Sequence, residues 1–215
     1  MADDRTCFSC CCSSIFSLGL AALFLWLSLR PSKPTFYIES FYVPALNKTA
    51  SNDGQRRNTT MEFELLLKNR NKDSGIFYDQ LNLTIYHGGD LSHPVANLSI
   101  PAFRQGKKKK AHRREAVAAA GVPWEAARRE AAAGGGTVFR VGVATLLRYR
   151  IVFWKTRRYG MSVAGNVTVN ASGLKSTEDG VKLSSSSPTL LCGLSRVGVV
   201  VLVVAGIFVN LFFSF

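Results

Sequence analysis

Asparagine followed two positions later by serine or threonine occurs six times in the 215 residues, at Asn47, Asn58, Asn82, Asn97, Asn166 and Asn170. The pattern is the acceptor for N-linked sugar, whose transfer requires exposed backbone in a secretory compartment. One or two matches would arise by chance; a run of six is an excess. A second chemistry is electrostatic. Lys107, Lys108, Lys109 and Lys110 are contiguous, with Arg113 and Arg114 just behind, and Arg148, Arg150, Lys155, Arg157 and Arg158 form a second group. Such a field attracts polyanions. A third is thiol chemistry. Cys7, Cys10, Cys11 and Cys12 crowd the front of the chain and Cys192 stands near its end, with no cysteine between them.

Each of these has a plainer alternative. The lysine run suits an ordinary solvated loop or a nucleic-acid patch as well as an acidic polysaccharide or anionic lipid headgroups. The sugar acceptors and apolar ends argue against nucleic acid as a partner. The front cysteines lack the second ligand pair that zinc needs. Beside an apolar segment, Cys10, Cys11 and Cys12 are candidates for palmitoylation, with inert small-residue packing as the alternative. His87, His93 and His112 fall in predicted loops, in no nucleophile or metal-ligand pattern, and no Gly-rich phosphate loop is present. No catalytic residue, metal or cofactor is therefore expected, and the chain does not read as an enzyme.

Two uncharged apolar segments bracket these residues. Counting from Cys10 to Leu29 gives about 20 residues, ~30 Å as a helix, the thickness of a hydrocarbon core. Asp3, Asp4 and Arg5 do not make the basic leader of a cleaved signal, which favours an uncleaved anchor. Arg30 and Lys33 would place the middle in the cytosol by the positive-inside rule; the six acceptors place it outside and carry more weight. Residues 1–9 then form a short cytoplasmic tip, 10–29 a transmembrane anchor, and 31–183 one ectodomain. Residues 184–196 form a linker, and 197–215 (VGVVVLVVAGIFVNLFFSF) an uncharged tail. Small residues around Ser185, a spacer and an apolar tail match the signal for a glycosylphosphatidylinositol (GPI) anchor at Ser185. A retained second membrane helix is the alternative. Residues 31–183 hold 24 Lys/Arg against 12 Asp/Glu, a net +12, so the charge belongs to the ectodomain.

That middle reads as all-β. Met61, Phe63, Leu65 and Leu67 alternate with charged neighbours; Leu81, Leu83 and Ile85 alternate with Asn82 and Thr84; Thr35–Val43 is aromatic and β-branched. Further strands are expected over Thr137–Lys155, Tyr159–Asn170 and Gly173–Leu183. Turn residues at 52–54, 69–75 and 87–90 separate them, which predicts an antiparallel β-sandwich. Residues 111–136, rich in Ala, Arg and Glu, read as a solvated insertion, partly disordered, with a short helix from Pro123 to Ala133 ended by Gly134–Gly136. Phe153 is expected inward with Ile151. Trp154 should then lie on the other face, with Lys155 or Arg158 stacked near it.

The blocks Phe24–Arg30, Phe41–Leu46, Asn71–Asp79, Phe103–Ala111 and Tyr149–Gly160 (YRIVFWKTRRYG) resemble the plant non-race-specific disease resistance and harpin-induced-like family, built on a type-2 late embryogenesis abundant domain. Trp154, Lys155, Arg158, Tyr159 and Gly160 belong to the most specific of these blocks. Many members carry Asn-Pro-Asn where this chain has Asn69-Arg70-Asn71, and without the proline's fixed φ a freer turn is expected. The resemblance implies a fibronectin-III-like sandwich on the plasma membrane, acting in defence, the hypersensitive response and membrane–wall adhesion. It also implies contact with a membrane-bound immune regulator at the cytoplasmic face, a role falling on Asp3 and Asp4. A structural or stress-protective tether without signalling is the alternative. On either reading the wall ligand would be acidic polysaccharide.

Overall fold

The computed structural model describes residues 13–24, 31–48, 58–89, 91–151 and 153–185. Eleven strands pair, all antiparallel. They are β1 (Thr35–Tyr42), β2 (Thr60–Lys68), β3 (Ser74–Tyr78), β4 (Leu81–His87), β5 (Pro94–Ile100), β6 (Phe103–Gln105), β7 (Lys110–Ala118), β8 (Thr137–Ile151), β9 (Trp154–Lys155), β10 (Tyr159–Val169) and β11 (Val181–Ser185). The main path runs β5-β4-β8-β10-β11-β1-β2-β7, with β3 and β9 on β8 and β6 on β3. The expected two-sheet sandwich is thus one continuous sheet. Strand β11 pairs with both β10 and β1 and so joins what would have been two halves. The path's two ends also meet, because the Ala120 N–H, just past β7, donates to the Val95 carbonyl on β5 at 2.8 Å. The result is a nearly closed barrel-like sheet, which leaves little unpaired edge for aggregation.

Period-2 patterning decides which side chains fill it. Met61, Phe63, Leu65 and Leu67 on β2, Leu81, Leu83 and Ile85 on β4, and Val163, Val167 and Val169 on β10 are all buried, as their alternation predicts. On β1 the register slips between Ile38 and Ser40, which turns Phe41 as well as Phe36 and Ile38 inward. Phe139, fully buried, lies 5.7 Å from the Phe41 ring at the centre of the core.

Residues 111–136 are not a solvated insertion. Lys110–Ala118 is strand β7, paired with β2 along its whole length from Lys68↔Lys110 to Thr60↔Ala118. Good helix formers here take strand geometry because the β2 edge offers nine backbone partners. The helix is real, over Trp124–Ala132, and buries Ala127 and Ala131. Gly134 and Gly136, at φ 89° and 69°, end it in the left-handed conformation that glycine adopts at least cost. Residues 13–24 are helical with Ile15, Phe16, Leu18 and Phe24 exposed. Among the described residues no helix is long and apolar enough to cross a membrane. Residues 10–12 and 25–29 of the front segment and the whole tail 197–215 lie outside them.

Candidate functional site

The chain enters the barrel through Ser32, and what it meets there sets the site. Asn71 Nδ2 donates to the Ser32 carbonyl (2.8 Å) and Asn71 Oδ1 accepts from the Ser32 N–H (2.6 Å). Asn69 Oδ1 in turn accepts from both the backbone N–H and the side-chain amide of Asn71, at 3.0 and 2.9 Å. Asn69 Nδ2 donates to the carbonyls of Ser74 (3.0 Å) and Gly106 (2.9 Å). Both asparagines are buried. The turn expected to be freer without its proline is therefore held by side-chain amides. Arg70, where the proline would stand, is exposed, so its side chain is not part of the lock.

The same network seats the lysine turn. Lys108 N–H donates to the Asn71 carbonyl (3.0 Å) and Asn69 N–H to the Lys109 carbonyl (3.1 Å). Gln105, buried, donates from Nε2 to the carbonyls of Leu67 and Lys109, both at 2.8 Å, and accepts from the Tyr78 hydroxyl at 2.8 Å. Burial and the nearby Tyr149 hydroxyl hold the Tyr78 phenol protonated well above its ordinary range. Lys108 has φ 51°, the one non-glycine residue in the left-handed region among those described. A lysine where glycine costs least is local backbone strain. Lys107 to Lys110 are all exposed, and among the described residues none has a carboxylate in ion-pairing reach.

Arg113 and Arg114 do not extend that patch. Arg113 lies over the Phe103 ring at 4.2 Å, and Arg114 Nε pairs with Glu64 at 3.0 Å. His112, on strand β7 rather than in a loop, places Nδ1 2.9 Å from Glu64 and 3.0 Å from Glu39. The hydrogen bond from His112, followed by those from Arg114, holds the Glu64 carboxyl below its usual range. These three groups could ligate a cation, with their donor atoms within 4.8 Å of one another. Half-exposure and the competing Arg114 make an ion-paired surface the simpler account. His87 ends β4 and meets Thr137 Oγ1 at 3.2 Å, while His93 lies in the bend before β5.

The second basic group gathers at the same end of the barrel. Ser74 pairs with Ile151, and Ile151 with Trp154 across a tight hairpin. Ile151 is buried, but Phe153 is 89% exposed and Trp154 55%, so Phe153 does not turn inward as expected. The reversal at Phe153 interrupts the strand alternation on which that expectation rested. Lys155 Nζ stands 4.6 Å over the Phe77 ring rather than on Trp154. Asp79, in the β3–β4 junction, binds Arg148 (3.3 Å) and Arg158 (3.0 Å, still exposed), while Arg150, Lys155 and Arg157 are exposed with no ion pair among the described residues. Tyr159 and Gly160 open β10, and Tyr159 contacts Tyr149 ring to ring at 6.2 Å.

The acceptor asparagines are elsewhere. Asn47 follows the 3-10 turn Pro44–Leu46, Asn58 precedes β2, and Asn170 follows β10, all at the opposite end; Asn82, Asn97 and Asn166 sit along strands. Asn58, Asn82, Asn97 and Asn166 are exposed, and Asn47 and Asn170 half-buried. Ser185 is exposed at the end of β11. Cys10, Cys11, Cys12, Asp3 and Asp4 lie outside the described residues. Sequence reasoning missed Ser32, Gln105, Tyr78 and Asp79. Only the Asn-x-Asn spacing hinted at the lock, and nothing local marks a buried glutamine between an arginine and a glycine.

No family model matches the chain. It is 40% identical over 196 residues to Protein NDR1 of Arabidopsis thaliana, covering 85% of this chain and 84% of that protein. It is also 32% identical over 95 residues to NDR1/HIN1-like protein 1 and 33% over 99 residues to NDR1/HIN1-like protein 26 of the same plant. Those two alignments cover 44% and 45% of this chain and the same shares of the relatives.

Proposed function

The chain belongs to the family of Protein NDR1 and the NDR1/HIN1-like proteins, and on that premise we propose that it is a plasma-membrane-anchored plant defence protein. In this reading it acts in pathogen-triggered immune signalling and the hypersensitive response. Its apoplastic barrel carries sugars and adheres to the wall, and its cytoplasmic tip, through Asp3 and Asp4, recruits a membrane-bound immune regulator. It works by binding rather than catalysis.

The observation that carries this reading is the likeness to Protein NDR1 over most of both chains. The disposition of the barrel supports it. Ser32 leads in at one end, and the register Phe36↔Leu183 carries Ser185 out past Thr35 at that same end. Apolar segments attached at Ser32 and after Ser185 would thus moor the barrel by one end and leave Asn47, Asn58 and Asn170 at the end facing away. The test is exchange of Asp3 and Asp4 for Lys in plants lacking the native protein. Loss of defence signalling with wall adhesion intact is expected. Unchanged signalling would favour the tether reading, which the exposed lysine turn supports.

A further inference from the structure

We propose that the Ser32 end of the barrel is a membrane-docking surface. The Phe153–Trp154 hairpin enters the headgroup zone of an anionic leaflet and Lys107–Lys110, with Arg150, Lys155 and Arg157, contacts its phosphates. This rests on the reading that the chain is moored in a membrane, and adds which face meets the bilayer and by what chemistry.

Four observations converge. Among the described residues, the exposed Phe153 and half-exposed Trp154 on a short hairpin have no packing partner to justify them (89% and 55% exposed). Large apolar side chains exposed together mark an interaction surface, and a Trp beside them suits an interface with one apolar and one wet side. The hairpin is ringed by cations. The lysine turn connects to it through rigid contacts, Asn69 bonding both Ser74, which pairs with Ile151, and Gly106. Both chain connections, Ser32 and Ser185, lie at this end, so a mooring on either side brings this face to the bilayer at high effective concentration. Finally, three of the six sugar acceptors, Asn47, Asn58 and Asn170, are at the far end, and none lies in the lysine turn or the hairpin, where a glycan would hold the face off the membrane. An acidic polysaccharide would need the cations but would give the apolar tip no role, so a lipid surface accounts for more of the geometry. The strained Lys108 backbone fits too, because the turn directs successive lysines outward rather than folding one back on the sheet.

The test uses the full chain reconstituted in vesicles of phosphatidylcholine, with and without phosphatidylserine, part of the phosphatidylcholine being brominated on its acyl chains. Tryptophan emission is read for the native chain and for Trp154→Phe, Trp124→Phe and Trp26→Phe, so that each residue's contribution follows by difference. The expected result is strong quenching of Trp154 and Trp26 and none of Trp124, which lies at the opposite end. Trp154 quenching should deepen with phosphatidylserine and weaken when Lys107–Lys110 become Gln. The loss should be about five-fold in the docked-to-undocked ratio per charge removed. Quenching of Trp26 without Trp154 would keep the mooring and overturn the docking surface. No quenching of either, with the chain recovered in solution, would instead overturn the mooring itself. Lysine-dependent binding of polygalacturonate with Trp154 unquenched would assign the cations to polysaccharide and refute the proposal.

Discussion

The two ends of the barrel are closed by different means. The far end is capped by apolar packing. The helix Trp124–Ala132 buries Ala127 and Ala131, Arg128 Nε reaches the Ala45 carbonyl at 2.9 Å, and acids and bases are mixed, as in the Glu125–Arg128 pair at 2.6 Å. The Ser32 end is closed by buried amides, Asn69, Asn71 and Gln105, under a turn of exposed lysines. A polar closure makes sense where backbone carbonyls of three loops must be held in one place. Asn69 and Gln105 each satisfy two of them and Asn71 one, whereas apolar side chains would leave them unpaired. The difference separates a lid that only seals from an end that presents charge on a rigid base.

The sharpest way to break this contrast is Asn69→Ala. It removes the side-chain donor to the Ser74 and Gly106 carbonyls and the acceptor shared by the Asn71 backbone N–H and side-chain amide, and a buried group left unpaired costs about 1–3 kcal/mol. Denaturant unfolding should therefore show a loss of several kcal/mol, and a loss near zero would mean water replaces the amide freely. At the far end Gly173→Ala should cost about 1–3 kcal/mol by overpacking. A Cβ there would sit against the Val43 carbonyl, at a φ of 76°. Its effect should leave vesicle binding intact, which Asn69→Ala should not.

A third test uses pH. Burial pushes the Tyr149 phenol up to about 12, from an ordinary value near 10. An acid whose folded pKa is raised binds its proton more tightly when folded, so stability is full below pH ~10 and falls as pH rises toward ~12. Tyr149→Phe should flatten that fall in thermal unfolding, while Tyr78, shifted in the same direction, preserves part of it. The smallest effect on stability is expected from Lys108→Gly. It relieves a left-handed lysine and should raise stability slightly, by about 0.4–1 kcal/mol at most. Yet it removes one charge from the surface, so stability and membrane docking should move in opposite directions.

Strands built on strict alternation, β2, β4 and β10, were legible because each has one wet face. β3 was read partly as turn because four of its five residues are buried, which erases the period. β7 was obscured by helix-forming residues whose conformation the β2 edge dictates. Of the site, the lysine run and the YRIVFWKTRRYG block were visible, but not that Arg113 and Arg114 leave the patch. Glu64 is set by the pairing of β2 with β7, strands distant in sequence, and Phe103 by the packing of the neighbouring strand β6. The Asn69–Asn71–Ser32 lock spans 39 residues of chain, a separation that no local pattern encodes.

The central claim is that one end of this barrel faces a bilayer and the other does not. Amine acylation footprinting of the full chain in phosphatidylserine-containing vesicles, compared with detergent solution, tests it most directly. Lys107–Lys110 and Lys155 should lose reactivity in vesicles while Lys48, at the far end, keeps its own. Equal labelling of both ends in the two media would contradict it.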